Sequence, residues 1–131
     1  MRGYTIHAFR TLHDGKPYEG ESHLSYLITS NGQNLWISGD AVFTSEDVER
    51  VNRIAGEREI DAAFVMVYQI GNRARQQILK GLHAKRFLLY HLPYEEDDAY
   101  HFRRTSARLV EKMIAEGWKI HILEHDQFAA Y

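Results

Sequence analysis

One stretch limits the possible folds more than any other. Within residues 60–68, IDAAFVMVY, Ala62 to Tyr68 run apolar without interruption and are rich in β-branched and aromatic side chains. A segment this short, apolar on both of its alternating faces, suits a strand covered on both sides. Helical patterns stand before and after it. Thr44 with Asp47 three residues on forms a variant capping box, and Val48, Val51, Ile54 and Ala55 then share one helical face up to Gly56. After the run, Asn72 is placed to cap a helix that turns Ala74, Ile78 and Leu82 inward. RFLLYH is a second short buried strand. The longest helix spans about Asp98 to Glu116, with Phe102, Leu109, Val110, Met113 and Ile114 inward and Gly117 at its end, and WKIHIL is a last strand.

The N-terminal third has a different grammar. Tyr4 to Phe9 alternates loosely, HDGKPYEGES is a loop, and the runs HLSYLIT and NLWIS flank Asn31-Gly32, the strongest hairpin signal in the chain. A hairpin meander that opens into βαβ units predicts an α/β (α+β) protein: a mixed sheet with helices packed on it. The 131 residues suit a single domain spanning 1–131, with no linker, repeat or low-complexity segment.

Composition removes several function classes. The formal net charge is −2 with both signs interspersed, so no basic face marks a nucleic-acid partner. No cysteine is present, which excludes disulfides and thiolate zinc sites. MRGYTIHAFR carries no signal-peptide core, and no apolar run could span a bilayer; a soluble, cytoplasmic protein with no membrane partner is expected. Histidine is abundant, with eight residues.

Three polar residues share one context. His13 follows the first strand, Asp40 ends the hairpin's second strand in ISGDAVF, and His91 ends RFLLYH. Sites in open α/β sheets gather beyond strand ends. Imidazole and carboxylate are ligands that zinc, iron or manganese accept. Each residue also has a plain reading: a polar surface histidine at His13, a turn former or helix cap at Asp40, a buried and hydrogen-bonded imidazole at His91. The acidic run in HLPYEEDDAYHF reads first as favouring a helix N-terminus, and a cation is the second reading. His121 and His125 in HILEHD lie four apart, a ligand spacing on a helix, but the segment reads as a strand. Arg73, Arg75, Arg103, Arg104 and Arg108 read as solvated helix surface, with an anionic substrate the second reading.

The loop His13 in LHDG, the hairpin ending in ISGDAVF, the IDAAFVMV strand and the strand-end His91 in FLLYH together resemble the C-terminal half of a metallo-β-lactamase-fold domain. The likeness covers about residues 5–123. His13 precedes Asp40 by 27 residues and His91 follows it by 51, spacings similar to those of the superfamily. The resemblance implies that Asp40 bridges two metal ions, with His13 on the first and His91 on the second. His23, 17 residues before Asp40, competes for the first role. It implies zinc, or else manganese or iron, and a metal-activated water for hydrolysis of an ester, thioester, lactam or phosphoester.

The superfamily's HxHxDH motif is absent, and only one of its two sheet-plus-helix halves is present. An open sheet face therefore needs a cover, with Val65, Val67, Leu27, Trp36 and Leu89 expected to supply its surface. A homodimer is the first expectation, a second polypeptide or a longer gene product the others. Two functions follow: a metal-dependent hydrolase half completed by association, or a non-catalytic remnant that serves as an assembly module.

Overall fold

A computed structural model describes residues 3–13 and 15–124. Its organising element is the hairpin. Asn31 (φ 50°) and Gly32 (φ 79°) both adopt left-handed backbone, as a two-residue turn with the twist of its flanking strands requires. The turn joins β2 (Ser22–Ser30) to β3 (Gln33–Ile37), and β2 also pairs antiparallel with β1 (Tyr4–His13) from Tyr4 opposite Ser30 to Leu12 opposite Ser22. A two-residue strand β4 (Ala41–Val42) adds to the far side of β1. Beyond β3, β5 (Ala62–Met66), β6 (Phe87–Tyr90) and β7 (Ile120–Ile122) are all parallel. The order is β4-β1-β2-β3-β5-β6-β7, a mixed seven-stranded sheet.

The helices form where their caps predict. For α1 (Ser45–Ala55), the Thr44 side chain accepts from the Asp47 amide and Asp47 accepts from the Thr44 amide. For α2 (Arg73–Lys80), the Asn72 side chain accepts from the Arg75 amide at 2.9 Å. For α3 (Phe102–Ala115), Asp98 accepts from the amides of Phe102 and Arg103 at 2.6 and 3.0 Å. The preferred reading of the acidic run, support of a helix N-terminus, holds at that residue.

One sheet face meets these helices. Phe9, Leu27, Trp36, Ala63, Val65, Phe87, Leu89 and Ile120 lie in register on it and pack with Val48 and Val51 of α1, Leu79 of α2, and Val110 and Met113 of α3. This corrects the expected open face: Leu27, Trp36, Val65 and Leu89 are fully buried under the helices and Val67 nearly so. Alternation sends their neighbours to the other side, so the open face carries Ile6, Leu12, Leu24, Tyr26 and Leu35, all at least one-third exposed. Other expectations need smaller changes. The strand in IDAAFVMVY ends at Met66, and residues 67–70 wind into a 3₁₀ turn that is buried apart from Tyr68. Ala74, Ile54 and Ile114 face solvent; the buried residues of α2 are Gln76 and Leu79.

Candidate metal centre

The rim at the C-terminal ends of β3, β5 and β6 holds the candidate site. Since β3 and β4 lie on opposite sides of the β2–β1 pair, Ser38, Gly39 and Asp40 must carry the chain across the ends of those strands. The crossing is tight. A Cβ on Gly39 would sit 2.1 Å from Cε1 of His23, and Gly39 has φ 61°, where side chains are disfavoured. Asp40 thus follows a glycine wedged under an imidazole.

Tyr90, the last residue of β6, reaches back to this crossing. Its hydroxyl donates to the Gly39 carbonyl at 2.6 Å and lies 3.2 Å from Ser38 Oγ. Burial, opposed by the Ser38 hydrogen bond and reinforced by the nearby Asp40 charge, raises the phenol pKa, so the hydroxyl keeps its proton at neutral pH. The residue after each anchor is then a candidate ligand: Asp40 after Gly39, His91 after Tyr90. His91 adopts φ 71°, a left-handed conformation that costs a Cβ-bearing residue about 1–2 kcal/mol. Its Nε2 lies 3.8 Å from Asp40 Oδ1, with both side chains about half exposed. Two donors at about 2.1 Å from a tetrahedral metal would be about 3.4 Å apart. The pair therefore fits two positions of such a site in donor type and in spacing.

His13 sits differently. It ends β1, pairs with Ala41, and packs its ring against Tyr18 (5.3 Å) and His23 (6.0 Å). His23, the competing candidate, stands beside it on the same face of the sheet, with Nδ1 buried and without a hydrogen-bond partner. Among the described residues no group of three His, Cys, Asp or Glu side chains is arranged to hold a metal ion. The structure brings Asp40 and His91 together and leaves that pair short of a full ligand set. The acidic run forms no such group either, and His121 lies on a strand as read; His125 is outside the described residues.

Two contributions to the rim had no sequence signal: Tyr90 as anchor and the imidazole of His23 over Gly39. Both depend on residues far apart in sequence. The aspartate of IDAAFVMV has a structural role. Asp61 accepts from the Asn34 amide at 2.8 Å and from Lys85 at 2.6 Å, joining the starts of β3, β5 and β6 at the end of the sheet away from the rim. The Lys85 hydrogen bond, then that from Asn34, holds its carboxyl below the ordinary range. Of the basic group, Arg103 is engaged with the Pro93 carbonyl and the Glu124 carboxylate, and Arg73 with Glu116.

No protein-family description matches the chain, and no curated protein matches it. Solved structures do. A mutant of CmlA beta-hydroxylase superposes with a TM-score of 0.66 at 14% identity, over 92% of this chain and 30% of that one. Igni18, a novel metallo hydrolase from the hyperthermophilic archaeon Ignicoccus hospitalis KIN4/I, gives 0.61 at 15% identity, over 98% of this chain and 55% of that one. The chain has a metallo-β-lactamase-like fold and spans about half or less of the length of these neighbours. No helix among the described residues is long and apolar enough to cross a membrane.

Proposed function

We propose that this chain is one half of a metallo-β-lactamase-like, metal-dependent hydrolase, contributing Asp40 and His91 to a divalent metal site, with zinc the first candidate. The observation that carries the reading is the 3.8 Å approach of Asp40 to His91, anchored by the Tyr90–Gly39 hydrogen bond. The metal, once bound, would supply a Lewis acid and lower the pKa of its water. Asp40 and His91 hold it, and Tyr90 fixes their separation. The remaining ligands come from a second copy of this chain or from a partner that covers the open sheet face. The compartment in this reading is the cytoplasm.

The lack of a three-ligand group among the described residues favours a second reading, a non-catalytic assembly module on the same fold. A titration with zinc and manganese, followed by thermal melting and native mass, separates the two. Metal at about a hundred times its Kd adds about 2.7 kcal/mol to the folded state. The hydrolase reading expects this stabilisation, and its loss in Asp40→Ala. No shift in Tm at excess metal leaves the assembly module.

A further inference from the structure

A cavity of about 650 Å³ opens beside His91, within the range of small-molecule sites. Tyr68, Tyr90 and Tyr94 contribute to its wall, joined by Leu92 and Leu123. The Tyr68 ring is held in place by Phe102 (4.9 Å) and His91 (5.9 Å), so this aromatic part of the wall is ordered before a ligand arrives. The charges on the wall are equally specific. Arg103 is engaged by the Pro93 carbonyl and by Glu124. Asp97 adds a second carboxylate, so carboxylates outnumber guanidinium groups on the wall two to one. An anion entering here meets an occupied guanidinium and an excess of carboxylate.

We propose that this cavity binds the uncharged aromatic group of a small ligand, and that this ring, once seated, places its attached substituent beside Asp40 and His91. The consequence for chemistry rests on the hydrolase reading; the binding itself does not, because no wall contact requires a metal. His91 belongs both to the ligand pair and to the cavity wall, which links the two.

The test is a metal-free titration of the full chain, followed by NMR, with benzamide, benzoate and cyclohexanecarboxamide. Benzamide should bind saturably, at least tenfold more tightly than benzoate and several-fold more tightly than the saturated analogue. Tyr68→Ala and Tyr94→Ala should each weaken it at least fivefold. Tyr94 is 57% exposed, so its truncation leaves the core packed and keeps the result interpretable. Because the titration contains no metal, benzamide binding is read independently of the metal reading. Equal affinity for benzoate, equal affinity for the cyclohexyl compound, insensitivity to both tyrosine substitutions, or no saturable binding would each overturn it.

Discussion

At Gly39 a single hydrogen atom permits the route of the chain. Gly39→Ala adds a left-handed penalty of about 1–2 kcal/mol and a collision with the His23 ring. Its stability should fall by at least about 2 kcal/mol in urea unfolding, and His23→Ala in the same chain should restore part of that loss. Full additivity of the two changes would show that the rings and the turn do not meet. Tyr90→Phe is milder. It removes the donor to the Gly39 carbonyl, which is worth about 1 kcal/mol, while the ring stays in place. On the proposed hydrolase reading, metal affinity should drop about tenfold or more, as it does when groups that orient ligands are lost, and unchanged affinity would remove Tyr90 from the proposed site. Asp61 gives a test in pH. Its folded pKa is lowered, so its contribution is present above the ordinary carboxylate value of about 4 and is lost as pH falls through the folded value. Asp61→Asn should therefore destabilise the protein near neutral pH, and progressively less as acid protonates the carboxyl. Lys85 has the opposite sign: its raised pKa means a contribution present at neutral pH and lost only as strong alkali deprotonates it.

Among elements, each helix start rests on a local device, and the devices are unequal. Thr44 and Asp47 satisfy each other's backbone amides at α1 and Thr44 is exposed, so Thr44→Ala should cost about 1 kcal/mol with little change elsewhere. A loss well above that, measured by thermal unfolding, would mean that Thr44 also supports the adjoining rim. This locality explains what could be read from the sequence. Capping pairs, the Asn31-Gly32 turn and the apolar strands involve residues within a few positions of one another, so their elements appear at nearly the expected bounds. Asp40 and His91 could be nominated because both close strands. Their meeting could not be derived, since it depends on Tyr90 reaching across to Gly39, 51 residues away. The open face lies opposite the one that hydrophobicity indicates, for a different reason. Hydrophobicity picks out the most apolar residues, and in a sheet with helices on one side those go under the helices. Val65 and Leu89 are core, while less conspicuous Ile6 and Leu24 face outward. Strand parity decides this, and parity is fixed only once the register is known.

Taken as a whole molecule, the fold is a layered structure in which, among the described residues, the face opposite the helices is exposed over β1–β3, while Met66 and Leu88 on that same face are buried. Six large apolar side chains on the far face of β1, β2 and β3 (Tyr4, Ile6, Leu12, Leu24, Tyr26 and Leu35) are between 36% and 71% exposed. At roughly 180 Å² per side chain they present about 500 Å² of apolar surface. That is near the upper end of the largest patch on a typical monomer, and more than half of the roughly 800 Å² each partner contributes to a standard stable interface. The face carries Arg10 near its centre and no carboxylate within β1–β3, so its cover needs little charge. A second copy about a two-fold axis would supply an apolar layer of the same kind and would bring a second Asp40–His91 pair to the assembly. Sedimentation equilibrium should then show a dimer, and Ile6→Lys with Leu24→Lys should convert it to a folded monomer, because both side chains point away from the helices. Leu27→Lys is the necessary contrast: it buries a charge under α1–α3 and should unfold the chain instead. If the unsubstituted protein sediments as a monomer with this face open, self-association is ruled out. The proposed function then calls for a distinct polypeptide on that face, and the same Ile6 and Leu24 substitutions become the means of detecting it, by loss of its binding.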